Sequence, residues 1–364
     1  MVANQSRPGF VWSSAANDWV PIAGVLDVNR SYDFNAASTI GGNTIINNTM
    51  PISGFRNAII NGGMDVWQRG TSFTHTSGSF YTADRFSFFA DGTGGTKTIS
   101  QQSFTPGAGS ISGYEPTFFW RFNQSAVPTS QTEIELTQPI EDVRTFAGQT
   151  VTISFWAKAD ASRTVTTKFR QIFGTGGSAF VDSATQNNSL TTSWQRFTHT
   201  VTVPSINGKT VSASNNSRLE LKFVFPSGVT QTIDIWGVQV EPGTIATPFE
   251  HRPIGTELAL CQRYYQKITP SNTVSLAFGH VQSTVTERFT VPIPVSLRTL
   301  PALTATGTFT SVGNGGGFTL SSLSVLELEP NCVIISGTSA TAHTIGALIM
   351  YGINGNVLAF DSEL

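Results

Sequence analysis

The feature that most limits the fold is a run of short segments in which apolar and polar residues alternate, broken at close intervals by turn-forming residues. In TVTISFWAKA, Thr150 to Ala159, the residues Val151, Ile153, Phe155 and Ala157 fall on one side of an extended chain. Thr152, Ser154, Trp156 and Lys158 fall on the other, because successive side chains of a strand point to opposite faces. WQRFTHTVTVP (Trp194 to Pro204), RLELKFVF (Arg218 to Phe225) and TIDIWGVQVEPG (Thr232 to Gly243) repeat the pattern. No rhythm of strand, helix and strand interrupts them, so the spacing predicts an all-β sandwich or barrel and excludes a parallel nucleotide-binding sheet.

Composition fits that reading. Charged residues are only 12% of the 364, while Gly, Ser, Thr, Asn and Phe supply much of the rest. A formal charge of -2 leaves no cationic excess to neutralise phosphates, so nucleic acid is not an expected partner. The chain carries no apolar run long enough to span a bilayer and begins MVANQSRPGF, without the blocks of a signal peptide; we expect a soluble protein not exported by the general route. Cys261 and Cys332 lack metal-site spacing and are expected as buried free thiols.

Three regions follow. Residues 1–54 include FVWSSAANDWVPI, which reads as a short hairpin, and an Asn- and Gly-rich stretch with few core anchors. Residues 55–254 carry the alternating strands. A helix is expected over Gly255 to Lys267, with Thr256 as N-cap, as a connector into a C-terminal β-sandwich that completes 255–364.

Catalytic constellations are sparse. Glu133 and Glu135 in QTEIELTQ stand two apart on a strand, a spacing compatible with the roughly 5–9.5 Å between glycosidase carboxyls. Ile134 and Leu136 occupy the opposite face, so the acids are expected to face water, and the same holds for Glu327 and Glu329. His75, His199, His251, His280 and His343 are scattered, and no nucleophile or zinc motif appears. Aromatic residues are more suggestive, since a sugar ring stacks its apolar face on them. In YEPTFFWRFNQ, Phe118, Trp120 and Phe122 share one face, expected as core; Tyr114, Phe119 and Arg121 then offer a glycan-binding platform on the other side. Trp156, Trp194 and Trp236 are expected to be packing residues.

A series of blocks resembles a known family: FRNAIINGGMDVWQRGTSF, YTADRFSF, TVTISFWAKA, WQRFTHTVTVP, IDIWGVQVEPGTIATPFEHRP and ELALCQRYYQK, in order over residues 55–267. Together they resemble the carbohydrate-binding-module-like jelly roll of bacteriophage tail fibres and receptor-binding proteins. The residues themselves make NAIINGGMD chiefly the way into the domain, with Gly62 and Gly63 permitting close backbone approach. The resemblance implies a structural calcium held by Asp65, although IWGVQVE stands where such modules usually place paired aspartates. FVWSSAANDWVPI is similar to the Trp-containing hairpins with which phage fibres begin. The resemblance therefore implies a non-enzymatic virion protein, assembled in the host cytoplasm as a homotrimer. It would attach to tail or baseplate proteins through residues 1–54 and bind host-surface polysaccharide. The alternatives are a structural head-fibre, decoration or baseplate component, and a depolymerase acting through Glu133 and Glu135.

Overall fold

The computed structural model describes residues 56–364, except 77, 271–273, 314–315, 340–345 and 354, together with the backbone of four short strands before them. The chain divides into two compact units, Met1–Gly54 and Phe55–Leu364. In the first unit, β1 (Phe10–Ser13) pairs antiparallel with β2 (Asp18–Pro21), Trp12 opposite Trp19. That is the hairpin expected from the sequence. β3 (Ser38–Ile40) pairs with β4 (Asn43–Ile45). The rest of the expected attachment arm lies outside the described residues.

The second unit opens with a β-sandwich. Its strands are β5 (Ser72–His75), β6 (Gly78–Tyr81), β7 (Ser87–Ala90), β8 (Thr96–Ser103), β9 (Phe118–Ala126) and β10 (Ile134–Ile140). They continue with β11 (Thr150–Ala159), β12 (Arg163–Ile172), β13 (Val181–Asp182), β14 (Gln186–Leu190), β15 (Gln195–Thr202), β16 (Arg218–Val224) and β17 (Gln231–Pro242). One sheet runs β13-β12-β16-β10-β7-β6, with β14 also on β12; the other runs β15-β11-β17-β9-β8-β5. From β9 onward the chain passes back and forth between the sheets, the winding of a jelly roll, and every pairing is antiparallel.

Between the sheets lies a core that includes Phe88, Trp120, Phe122, Ile153, Phe155, Phe169, Leu221, Phe223 and Ile235, all fully buried. Each such side chain contributes about 1.5–3 kcal/mol relative to exposure, so the inner faces hold the sheets together. The expected alternation of β11 is realised for Val151, Ile153, Phe155 and Ala157, but its other face is covered as well: Thr152 and Ser154 are each only 1% exposed.

The entry segment is stitched to late parts of the chain. Asn57 Oδ1 accepts from the amides of Ile59 and Val240, and its Nδ2 donates to the Val238 carbonyl. Asn61, buried and with φ of 60°, donates to the carbonyls of Val66 and Asp84 and accepts from the Val66 amide. A Cβ on Gly62 would stand 2.1 Å from the Val238 carbonyl oxygen, so only glycine fits.

The helix α1 spans Ile254–Gln262, with Pro253 as N-cap. The expected helix over Gly255 to Lys267 is therefore corrected at both ends: Thr256 lies in the first turn, and Tyr265 begins a strand, β18 (Tyr265–Ile268). Pairing with a distant strand wins over local helical spacing there, since Tyr265 lies opposite Asp361.

The remaining strands are β19 (Val274–Val281), β20 (Thr286–Pro292), β21 (Ala302–Thr306), β22 (Phe309–Gly313), β23 (Gly316–Glu329), β24 (Cys332–Ser339), β25 (Ala347–Gly352) and β26 (Val357–Asp361). The C-terminal domain, expected as a sandwich, takes the form of a closed ring, β19-β20-β24-β23-β22-β25, beside a three-stranded sheet β18-β26-β21. Closure removes the free edges that two open sheets would expose. Its interior holds Ala277, Phe289, Val291, Val333, Ile335 and Met350.

Residues 361–364 return to the sandwich. Arg69 donates to Asp361 at 3.0 Å and lies 3.6 Å from the centre of the Tyr265 ring. Arg85, 1% exposed, pairs with Glu363, donates to the Pro139 carbonyl at 2.6 Å and lies over Tyr264. Cys261 is a buried free thiol and Cys332 a half-buried one. Among the described residues, no helix is long and apolar enough to cross a membrane.

Candidate functional site

The outward face of the sheet containing β10 carries the charged groups that strand register brings side by side. Arg170 lies opposite Asp182 on one neighbour and Glu220 on the other, and Glu220 lies opposite Pro139. In the next row, Lys168 faces Lys222, Lys222 faces Thr137, Thr137 faces Ser87 and Ser87 faces Tyr81. In the third row, Glu135 stands between Val224 and Phe89, and Phe89 faces Ser79. Apart from Lys168, Asp182 and Val224, these residues, with Glu133 one residue before β10, Arg218 and Leu364, line a depression of about 350 Å³.

Two lysines directly opposite one another would repel, and acids on both sides resolve the conflict. Lys168 reaches Asp182 at 2.9 Å, while Arg170 grips the same carboxylate with two hydrogen bonds of 2.7 and 3.0 Å. The Arg170 guanidinium, helped by Lys168, holds the Asp182 carboxyl at about 2. Lys222 pairs with Glu135 and lies 3.8 Å from Glu220, which Arg218 holds at 2.7 Å. Glu135 behaves differently: burial pushes its carboxyl above the usual range, outweighing Lys222, and the neighbouring Glu133 carboxyl adds to the rise. Its Oε1 is buried and accepts no hydrogen bond.

The expectation that Glu133 and Glu135 face water is therefore corrected for Glu135, while Glu133 is half-buried on the wall of the open depression. Glu135 is 4% exposed because β16 and β7 flank it and the charged row packs around it. Phe89 and Tyr81 remain half-buried on the wall of the depression, and the Tyr81 hydroxyl donates to the Leu364 carbonyl at 3.2 Å.

The residues expected as a glycan platform sit on the outer face of the other sheet. Trp156, Trp236, Phe119, Phe104, Ile111 and Phe249 form a second apolar cluster there, with Tyr114 and Trp194 packed against it. Tyr114 lies 5.4 Å from Trp156 and 5.6 Å from Trp236 between ring centres, and its hydroxyl accepts from the Phe249 amide at 2.8 Å. Phe119 is 6% exposed, against Phe104 and Trp194. Arg121 donates to both oxygens of Asp234 at 2.7 and 2.8 Å. The structure thus brings the three to one face but engages each with the protein's own residues: Tyr114 with Phe249, Phe119 with Phe104 and Trp194, and Arg121 with Asp234 on β17.

Asp65, the acid expected to hold calcium, has its carboxyl pushed up to about 6 by loss of surrounding water and, secondarily, by Glu257. Glu257 is already engaged, accepting from the Asn61 amide and from Arg252. Among the described residues, no three His, Cys, Asp or Glu side chains gather to hold a metal. This donor set, one acid beside an occupied carboxylate and an arginine, does not fit a calcium cage.

No family model matches the chain, and no curated protein matches it. Among solved structures, the enzymatically active domain of tailspike protein 4 of bacteriophage CBA120 is 18% identical over 52% of this chain, with a TM-score of 0.33. The match spans only 22% of that tailspike chain. A family 4 carbohydrate-binding module is 22% identical over 50% of this chain and 98% of its own, at 0.29. TmCBM61, solved with β-1,4-galactotriose, is 11% identical over 52% of this chain and 100% of its own, at 0.30.

Proposed function

We propose that the protein binds glycan without transforming it, through the depression on the outer face of β12, β16, β10, β7 and β6. The observation that carries this reading is the composition of that surface: two half-buried rings, Phe89 and Tyr81, beside polar groups locked in position by ion pairs. A sugar presents an apolar ring face and a rim of hydroxyls, and such a surface matches both. Fixed side chains lose little freedom on binding, which favours recognition by a shallow site. The cations that would assist a reaction are each engaged by a carboxylate.

The resemblance over residues 55–267 and the paired strands β1 and β2 support the finer reading of a phage tail fibre or receptor-binding adhesin. Residues 1–54 would join it to the virion, and copies in a homotrimer would multiply a weak single-site affinity. Purified protein should compete with phage particles for adsorption to host cells, and Phe89→Ala should lose that competition. Protein that leaves adsorption untouched would overturn the adhesin reading, and shortening of host polysaccharide would overturn the non-enzymatic one.

A second reading, a structural virion component, is favoured by the outer face of the ring. Register places Phe278, 68% exposed, beside Ile349, and Ile349 beside Val312, 40% exposed. Sedimentation of Phe278→Ser tests it: conversion to a smaller species assigns that row to subunit contact.

A further inference from the structure

We infer that the glycan taken by this depression is uncharged at the bound sugar and donates hydroxyls to Glu133 and Glu135, and that acidic glycans are rejected. The inference rests on the glycan-binding reading and narrows it to a chemical class.

Every cation on this face is already committed. Arg170 and Lys168 share Asp182, Arg218 holds Glu220, and Lys222 holds Glu135. The uncommitted charged groups are all acceptors, while the Ser79, Ser87 and Thr137 hydroxyls on the same wall donate and accept alike and do not favour an anion. Glu135 Oε1 is buried with no hydrogen-bond partner, and Glu133 has no cationic partner among the described residues. A buried acceptor left empty is costly, so a ligand gains most by bringing a donor to it. A neutral pyranose stacked against Phe89, which lies opposite Glu135, brings hydroxyl groups to both carboxyls.

A uronic acid or a phosphate-bearing sugar meets the reverse. It finds no free cation, faces two carboxylates, and could recruit Arg170 only by stripping a bidentate partner from Asp182. An ammonium sugar suits the two acids but must lie beside the Lys222 ammonium, which already occupies the other oxygen of Glu135.

The test uses the full-length protein on an array of neutral hexose oligosaccharides, matched uronic-acid oligosaccharides and de-N-acetylated amino-sugar oligosaccharides. Binding confined to neutral members is expected. Glu135→Gln, which keeps the shape but weakens the acceptor, should reduce that binding by about tenfold. Glu133→Lys, at a half-buried position that tolerates the change, should lose neutral binders and admit uronic-acid members. Calorimetric unfolding of both variants separates loss of binding from loss of fold. Binding of the unaltered protein to uronic-acid or amino-sugar members, or full retention of neutral binding by Glu135→Gln, would overturn this inference while leaving the glycan-binding reading in place. Silence across the whole array would overturn the reading beneath it.

Discussion

The two outer faces of the sandwich start from the same scaffold and end as opposites. One, on β9, β17 and β11, bears the densest aromatic residues of the chain and is closed by its own loops over Trp156, Trp236 and Phe119. The other, on β12, β16 and β10, bears alternating acids and bases and stays open as the depression. Aromatic density marks a binding surface only where nothing of the chain's own covers it. Here the closed face behaves as core, and the open one keeps two rings among charges that hold each other in place.

Changes on each face should separate stability from recognition. The largest effect is expected for Trp236→Ala on the closed face: a side chain 1% exposed is removed, costing about 3–5 kcal/mol in chemical unfolding with glycan affinity kept below the transition. Lys222→Met on the open face leaves the buried Glu135 without its cation, while Glu220 keeps Arg218. It should cost about 3 kcal/mol, the low end for a broken buried pair because the depression admits water, and should alter binding too. Asp182 sets a pH dependence. Its carboxyl is lowered from 3.8 to about 2, so the folded form binds that proton more weakly than the unfolded chain. The resulting stabilisation, at most about 2 kcal/mol, is complete above pH 4 and lost as pH falls through 2. Asp182→Asn should flatten that part of the unfolding curve. The smallest effect, about 1 kcal/mol by thermal unfolding, is expected for Tyr114→Phe, which strands the Phe249 amide. If Tyr114→Phe instead removes glycan binding while stability holds, the contrast between the faces fails.

Much of the fold was legible because strand identity is a local property. TVTISFWAKA is β11 residue for residue, and RLELKFVF and TIDIWGVQVEPG fall on β16 and β17 with ends shifted by a residue. The helix end was not, because Tyr265 leaves the helical pattern for a partner 96 positions away. The site was the least legible part. Alternation places Thr152 and Ser154 on the face opposite the core, and nothing local reports that this face is buried too, with the Thr152 hydroxyl bonded to the Gly243 carbonyl. The charged rows did leave a trace: Lys168 and Arg170, Glu133 and Glu135, and Arg218, Glu220 and Lys222 each recur at intervals of two. Only the order β12-β16-β10 reveals that these two pairs and one triplet are neighbours, and that order depends on crossings between sheets.

The bonds from Arg69 and Arg85 to residues 361–363 bear on how the molecule is made. Arg69 leaves the ribosome 292 positions ahead of Asp361, an interval on the order of 15–60 s during translation. Through that interval the first-made stretch has its cationic side chains in hand and none of the acids that will clasp them. The nascent chain can lay down strands in order, yet the last clasp forms only once Glu363 has emerged, so prematurely terminated products lack the fastening that complete ones carry.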